Sequence, residues 1–518
     1  MAPKLHHIEI RAPGFLGLNT QDSPTSISPS YASIANNCVI DKFGRVGARK
    51  GWSYLTTSGG SALANSDGIE LIHHFTSRAG VTTVISAGND KTFTGTTTLT
   101  DDTPGAATIT ANNWQAVTFN DDVYLFQAGH DPLMWDSSAA DTILVSAHGS
   151  YVGTVPQGNT VLAAYGRLWV GAVNNDCCTL YWSDLLQGMA WSGGTSGSID
   201  VTKFWPSGDD DIVALAVHND RLIIFGSKSI LIYAGANSPA TMVLEDTIEN
   251  VGCVARDSVV NIGSDIFFLS KSGFRSLSRT IADEGALPFR DISKNVRDDV
   301  INDIEAETSN IKALYSQENA FVLLTFPTLN KLYCFDTRRP LEDGSHRTTT
   351  WSGINPTAMH RASDGTIYLG EPLGIGQYTG YSDNSLGYIL KYYSPALDFS
   401  NAESDTGDET AQLLKFLKKV GITAVGAQSP TVQIKWAYDF SSNFKSQVVT
   451  LDSANYAEYN VSEYNSGVEY SASIIINEPR VNTTGSGTSV TVGIESTITQ
   501  AEFSLQQINI YATIGRLL

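Results

Sequence analysis

The chain has 518 residues, 42% of them hydrophobic and 17% charged, which suits a folded protein of two or three domains, or one large repetitive domain, and excludes a disordered one. Its formal charge of −20, from 53 acidic against 33 basic side chains, argues against tight phosphate binding, because Lys and Arg supply that affinity. Abundant glycine (45 residues) and short apolar runs between turn-forming clusters point to an all-β chain.

Residues 1–60 read as an N-terminal arm and docking segment. Its core, NNCVIDKFGRVGARKGW, holds a short strand, a turn at Lys42–Gly44, and a basic cluster of Arg45, Arg49 and Lys50. In so acidic a chain that cluster is the candidate surface for docking a partner, with a solvated turn as the alternative. The start of the chain shows no basic-then-apolar signal, and no apolar run approaches the ~20 residues that span a bilayer, so synthesis in a cytoplasm and no stable membrane insertion are expected.

Residues 61–380 carry a repeat of two apolar strands around a tight turn, often with a third strand. The clearest copy is VALAVHNDRLIIFGSKSILIYA, in which Val213, Leu215 and Val217 alternate, Asn219-Asp220 turn, and Leu222 to Phe225 return. Related units begin at Ala116, Val161, Ser258, Ile311 and Ala358, with a weaker one at Val81. The spacing of about 40–55 residues matches a four-stranded propeller blade and predicts six or seven of them. A sandwich or an unclosed meander is the competing arrangement. One segment departs from the β pattern: Val296, Val300, Ile301 and Ile304 fall at helical spacing, with Ser293 as the expected N-cap.

Residues 381–518 read as a C-terminal antiparallel β-sandwich or platform domain, entered through the acidic stretch NAESDTGDE at Asn401. AQLLKFLKKVG fits a helix ending at Gly421 or a strand, and the strand is preferred. Val432, Ile434, Trp436, Tyr438 and Phe440 are expected on one face of a strand, as are Val490, Val492 and Ile494 of another. A change of phase at Gln506-Gln507 predicts a β-bulge.

Chemistry is thinly represented. Cys38, Cys177, Cys178, Cys253 and Cys334 are read as reduced thiols, and neither a second Cys pair nor a nearby His completes a zinc set around Cys177-Cys178. His6-His7 and His73-His74 are adjacent, so on strands they point to opposite faces and do not share a ligand. The Asp209–Asp211 run could hold a cation but reads as a solvated loop. GxSxG, HExxH and GxxxxGK[ST] are missing, so no catalytic residue, metal or cofactor is assigned and the chain is read as a non-enzyme.

Several phrases together resemble one family. GFLGLNT followed by NNCVIDKFGRVGARKGW, then RLWVGAVNNDCCTLYWSDLLQGMAW with Trp182, Ser183, Asp184 and Trp191, resemble the tail nozzle (tail tubular or hub) proteins of short-tailed bacteriophages. DRLIIFGSKSILIYAG and the ending GTSVTVGIES…INIYATIGR are similar to blades and to the last sheet of the same proteins. The resemblance implies a hexameric ring in the virion tail, below the portal and adaptor, contacting tail fibres or spike while double-stranded DNA passes unbound through the lumen. Two other functions are kept: a host-receptor-binding tail propeller, with Tyr378 and Tyr381 stacking on sugars, and a polysaccharide-degrading tail enzyme.

Overall fold

A computed structural model of the chain describes residues 5–57, 68–88, 90–109, 113–282, 291–399, 413–426, 431–451 and 475–515. The acidic stretch expected to link the two domains, 401–409, lies outside them. The chain divides into two compact units: residues 54–332 with 355–378, and residues 1–53 with 333–354 and 379–518.

The first unit is a β-propeller. Six small antiparallel sheets follow in order, starting at strands Leu71–Thr76, Gln115–Phe119, Gly158–Ala164, Ile212–His218, Val260–Asn261 and Ala358–Arg361. Between the fifth and sixth sheets the hairpin Lys312–Ser316/Phe321–Phe326 takes a further place in the ring. Each first strand packs beside the next, the turn Arg256–Ser258 standing in at the fifth position, and Ala358–Arg361 returns to Leu71–Thr76. The chain entering the unit lies along the last sheet: Leu55 N–H donates to the Ile375 carbonyl at 2.9 Å, and Ile375 N–H donates to Thr56 Oγ1 at 3.0 Å. Closure therefore pairs the first residues of the ring with its last sheet, which leaves fewer strand edges exposed.

The core is a series of wedges between neighbouring blades. Trp169, Leu180 and Trp182 of the third blade meet Leu215, Leu222 and Ile224 of the fourth. Ala214, Ile223 and Phe225, on the other face of the fourth, meet Ile266 and Phe268 of the fifth. Both faces of the strand Ile212–His218 are thus covered, so the alternation visible in the sequence separates two apolar cores, with no watery face. The turn Asn219-Asp220 has φ of 49° and 61°, and Asn120-Asp121 repeats it with 50° and 73°. These left-handed pairs match the right-handed twist of the flanking strands, and Asn and Asp tolerate them best among residues with a side chain.

Two sequence expectations change here. The first blade begins one strand earlier than the repeat indicated, at Leu71–Thr76, whose paired histidines mask its alternation. The helix forms over Arg297–Ala306 with Val296 and Val300 buried, but Ser293 does not cap it. The Ser293 hydroxyl instead accepts the Phe274 N–H at 2.9 Å, tying the segment to the fifth blade.

The second unit is a two-sheet platform. One sheet centres on two long antiparallel strands, Leu414–Gly426 and Phe503–Gly515, so AQLLKFLKKVG is strand as preferred. Thr423 faces Gln507 while Ala424 faces Leu505, leaving Gln506 as the bulged residue. Strand Leu5–Arg11 pairs with Phe503–Gly515 along its whole length, and the hairpin Cys38–Ile40/Val46–Ala48 extends the sheet from the same long strand. The other sheet runs Thr348–Trp351, Ile34–Asn36, Tyr388–Tyr393, Val490–Ile498, Thr431–Tyr438, Lys445–Thr450. The arm is therefore woven into both sheets. Residues 333–354, inside the span expected for the propeller, belong to this unit because Thr348–Trp351 pairs with Ile34–Asn36. Val432, Ile434 and Trp436 are buried as expected, but Asp439-Phe440 form a turn with φ of 49° and 58°, which leaves Phe440 65% exposed.

Candidate functional site

The basic cluster of the arm separates into three different environments. Arg49 is wholly buried, and its five N–H bonds are all used. Nε donates to Asn37 Oδ1 at 3.0 Å, Nη1 to the Lys50 carbonyl and to Asp383 Oδ1 at 2.8 Å, and Nη2 to the Ser352 carbonyl and to Asp383 Oδ2 at 2.7 Å. Its guanidinium carbon lies 4.0 Å from the centre of the Tyr388 ring, whose hydroxyl donates to the Arg49 carbonyl. Asn37, at φ 56°, adopts the left-handed turn that lets its amide oxygen reach both Arg49 and the Ser352 N–H. Gly51 completes the phrase for a steric reason: a Cβ there would sit 2.0 Å from the Ser382 carbonyl oxygen. Arg49 is thus a structural rivet and is not available for docking. Arg45 is half-buried and paired with Asp41 at 2.7 Å over the Phe43 ring, and Lys50 is exposed.

In the propeller, the third-blade phrase Trp182-Ser183-Asp184 is a loop lock. Asp184 Oδ1 accepts the N–H of Leu185 and both the N–H and hydroxyl of Thr195, at 2.7–2.9 Å. Ser183 Oγ accepts the Leu168 N–H, and the Trp182 indole donates to the Thr195 carbonyl at 3.0 Å.

A polar recess of about 390 Å³ opens where the first strands of the blades begin, lined by Asn113, Asn159, Arg256, Asp257, Glu307 and Asn310 among others. Arg256, with a side chain 7% exposed, crosses it. It forks onto Asp257 with two bonds of 2.8 Å, and reaches the Trp114 carbonyl at 2.8 Å and the Asn159 carbonyl and Oδ1 at 2.5 Å. One side chain on the fifth blade therefore holds the second and third. Burial alone would raise the Asp257 carboxyl, but Arg256 and then Lys312 outweigh it and hold the group below the usual carboxylate range. Lys312 in turn is lowered by burial against the opposing pull of Asp257 and Glu70, and its ammonium donates to the Glu70 carbonyl. The Asp257 carboxylate stays ionised at neutral pH and Arg256 does not give up its proton, so this ion pair braces the ring.

The histidines of the inner strands form another cluster. The His73 and His360 rings are 5.4 Å apart, His73 Nε2 lies 2.7 Å from Thr118 Oγ1, and His360 Nε2 accepts the His74 N–H at 3.1 Å. Burial, then the neighbouring histidines, pushes His73 down to about 4 and His360 down to about 3. Both are neutral in the folded chain at pH values where the unfolded chain takes up protons, near 6.5. Their contribution is complete above that value and is lost as pH falls towards 4 and then 3. Urea unfolding should show stability lower by on the order of 2–4 kcal/mol at about pH 5 than at about pH 7. A His73→Gln/His360→Gln chain should lose most of that difference; an equal difference in both chains would assign it elsewhere.

The remaining candidates also resolve. Tyr378 is 8% exposed and packs edge-on against Phe321, so it offers no face to a sugar, while Tyr381 is half-buried. His7 stacks on Tyr511 at 4.4 Å. The three carboxylates of the Asp run diverge. Asp210 is buried and accepts the N–H groups of Ser227, Lys228 and Ser229, which fixes the second turn of the fourth blade. Asp209 lies 3.7 Å from Lys228, and Asp211 turns to the cysteine pair. Cys177 is exposed, Cys178 is half-buried, and Cys38, Cys253 and Cys334 are buried; all five are reduced. Arg256 is the residue that sequence reasoning passed over, because Trp114 and Asn159 lie far away along the chain; Asp211 was read as part of a solvated run, and its place beside Cys177 and Cys178 comes from the fold.

No family model matches this chain, and none of the curated proteins matches it in sequence. Among solved structures, the extracellular domain of a hybrid two-component system from B. thetaiotaomicron aligns at 13% identity and a TM-score of 0.41, over 66% of this chain and 41% of that one. The chain therefore spans less than half the length of that protein. The Neurospora crassa Pan2 WD40 domain aligns at 8% identity and 0.36, over 64% of this chain and 95% of its own. An exo-β-1,3-galactanase from Phanerochaete chrysosporium aligns at 9% identity and 0.28, over 90% and 100% respectively. These likenesses carry no argument about function.

Proposed function

We propose that this chain is a structural subunit of a short phage tail, of the nozzle or hub type, that assembles into a closed ring continuing the DNA ejection channel. The observation that carries the reading is what the resembling phrases do. NNCVIDKFGRVGARKGW continues from strand Ile34–Asn36 of one platform sheet into the hairpin Cys38–Ile40/Val46–Ala48 of the other and is pinned through Arg49 to Asp383, and Trp182-Ser183-Asp184 locks a blade loop. Their side chains are spent on holding sheets together, which suits a wall that must withstand pressure from packaged DNA. The net charge of −20 suits a surface along which a duplex slides without sticking. No catalytic step belongs to this reading. Identical subunits joined head to tail close into a ring when their rotation permits.

Electron microscopy of the parent particle and of the purified full-length chain tests it. The chain should be found in the tail as a closed ring, six-fold by the family resemblance, with acidic side chains towards the lumen. A chain that is absent from the tail and stays monomeric at every concentration would overturn the proposal, and a lumen dense in Lys and Arg would overturn its electrostatic part.

A further inference from the structure

Cys177 and Cys178 sit in the turn between strands Arg167–Val173 and Thr179–Trp182 of the third blade, and Asp211 immediately precedes the first strand of the fourth. The two Sγ atoms are 3.6 Å apart, and the Asp211 carboxylate completes a set of three ligand atoms lying within 4.8 Å of one another. We propose that Cys177, Cys178 and Asp211 form a binding site for one thiophilic divalent cation of the zinc class, with one coordination position left open to solvent.

The geometry favours chelation. Two thiolates bound at about 2.3 Å to one tetrahedral ion lie about 3.8 Å apart, close to the observed separation, whereas a disulfide needs about 2.05 Å. The ligands are held in place before any ion arrives. Ile212 N–H donates to the Cys177 carbonyl at 3.0 Å and Val201 N–H donates to the Cys178 carbonyl at 3.0 Å, while the Cys178 thiol donates to the Asp210 carbonyl at 3.1 Å and gives up that bond when the ion binds, both thiol protons passing to solvent. Asp210 is itself anchored by the three N–H groups of the 227–229 turn, so the backbone carrying Asp211 is fixed. An ion here joins a blade-three loop to the start of blade four and relieves the crowding of three potentially anionic groups. Thiolates select zinc-class ions over magnesium or calcium, and two sulfurs with one oxygen leave the open fourth position that tetrahedral sites offer to water or another donor.

The test uses the full-length chain, reduced and stripped of metal with a chelator. Titration with Co(II) should give a thiolate-to-metal charge-transfer band that saturates at one equivalent per chain and is displaced by Zn(II). Cys177→Ser/Cys178→Ser should abolish the band and weaken Zn(II) binding by roughly 100-fold or more, and Asp211→Asn should weaken it roughly 10-fold. Cys38, Cys253 and Cys334 remain in the double variant, so a band that survives there would overturn the assignment. Independently of any variant, Zn(II) should protect Cys177 and Cys178 of the native chain from alkylation, read by peptide mass spectrometry. Equal alkylation with and without Zn(II), or an Asp211→Asn chain that binds like the native one, would also overturn it.

Discussion

Replacing Arg49 with alanine should destabilise the platform by about 3–5 kcal/mol, measured as a lower urea midpoint in the full-length chain. The side chain is wholly buried, and its removal leaves the Asp383 carboxylate without the fork that neutralises it. Asn37 Oδ1 and the Ser352 carbonyl lose a donor in the same step. Lysine should fail almost as badly, because an ammonium has three donors at one point and cannot engage two carboxylate oxygens, an amide and two carbonyls together. Arg45→Ala should cost under about 1 kcal/mol, since its pair with Asp41 reaches the surface. The decisive comparison is Arg49→Met/Asp383→Leu: removing both charges should recover much of the loss, because the half-buried Asp383 carboxylate left without its partner, rather than the missing attraction, causes most of it. An Arg49→Ala chain within about 1 kcal/mol of native stability would contradict the structural role.

Arg256→Ala should destabilise the propeller strongly, with an expected loss of about 3–5 kcal/mol. It strands Asp257 in the recess and leaves the carbonyls of Trp114 and Asn159 without that donor, so the second, third and fifth blades lose a shared tie. Lys312, whose charge Asp257 helps to support, is affected in turn. Hydrogen exchange should rise in the first strands of those blades, Gln115–Phe119 and Gly158–Ala164, and in the turn Arg256–Ser258, while the platform strands Leu414–Gly426 and Phe503–Gly515 keep their native protection. Uniform exchange throughout both units would instead indicate global unfolding and would sink the idea of a local brace. The result bears on function, because the recess is held by a permanently charged, fully bonded side chain.

Much of the fold is legible from local sequence. Strand alternation, the Asn-Asp turns with left-handed residues, the helix that interrupts the ring and the bulge at Gln506 are all set within a few residues, through side-chain periodicity and backbone conformational preference. The candidate sites were read less well. A basic cluster in an acidic chain looks like a docking surface when only charge is counted, yet Arg49 finds its carboxylate 334 positions later.

What the sequence by itself determined is the all-β class, the blade repeat and the existence of a strand-rich C-terminal region, because apolar spacing and turn chemistry are short-range properties. Tertiary structure alone decided that residues 1–53 and 333–354 join the C-terminal sheets, and that Arg256 reaches residues 97 and 142 positions away. It alone decided, too, that Asp211 comes to face Cys177 and Cys178. The physical reason is the same for each: strand pairing and ring closure bring distant backbone together, and a buried charge goes to whichever partner that closure provides.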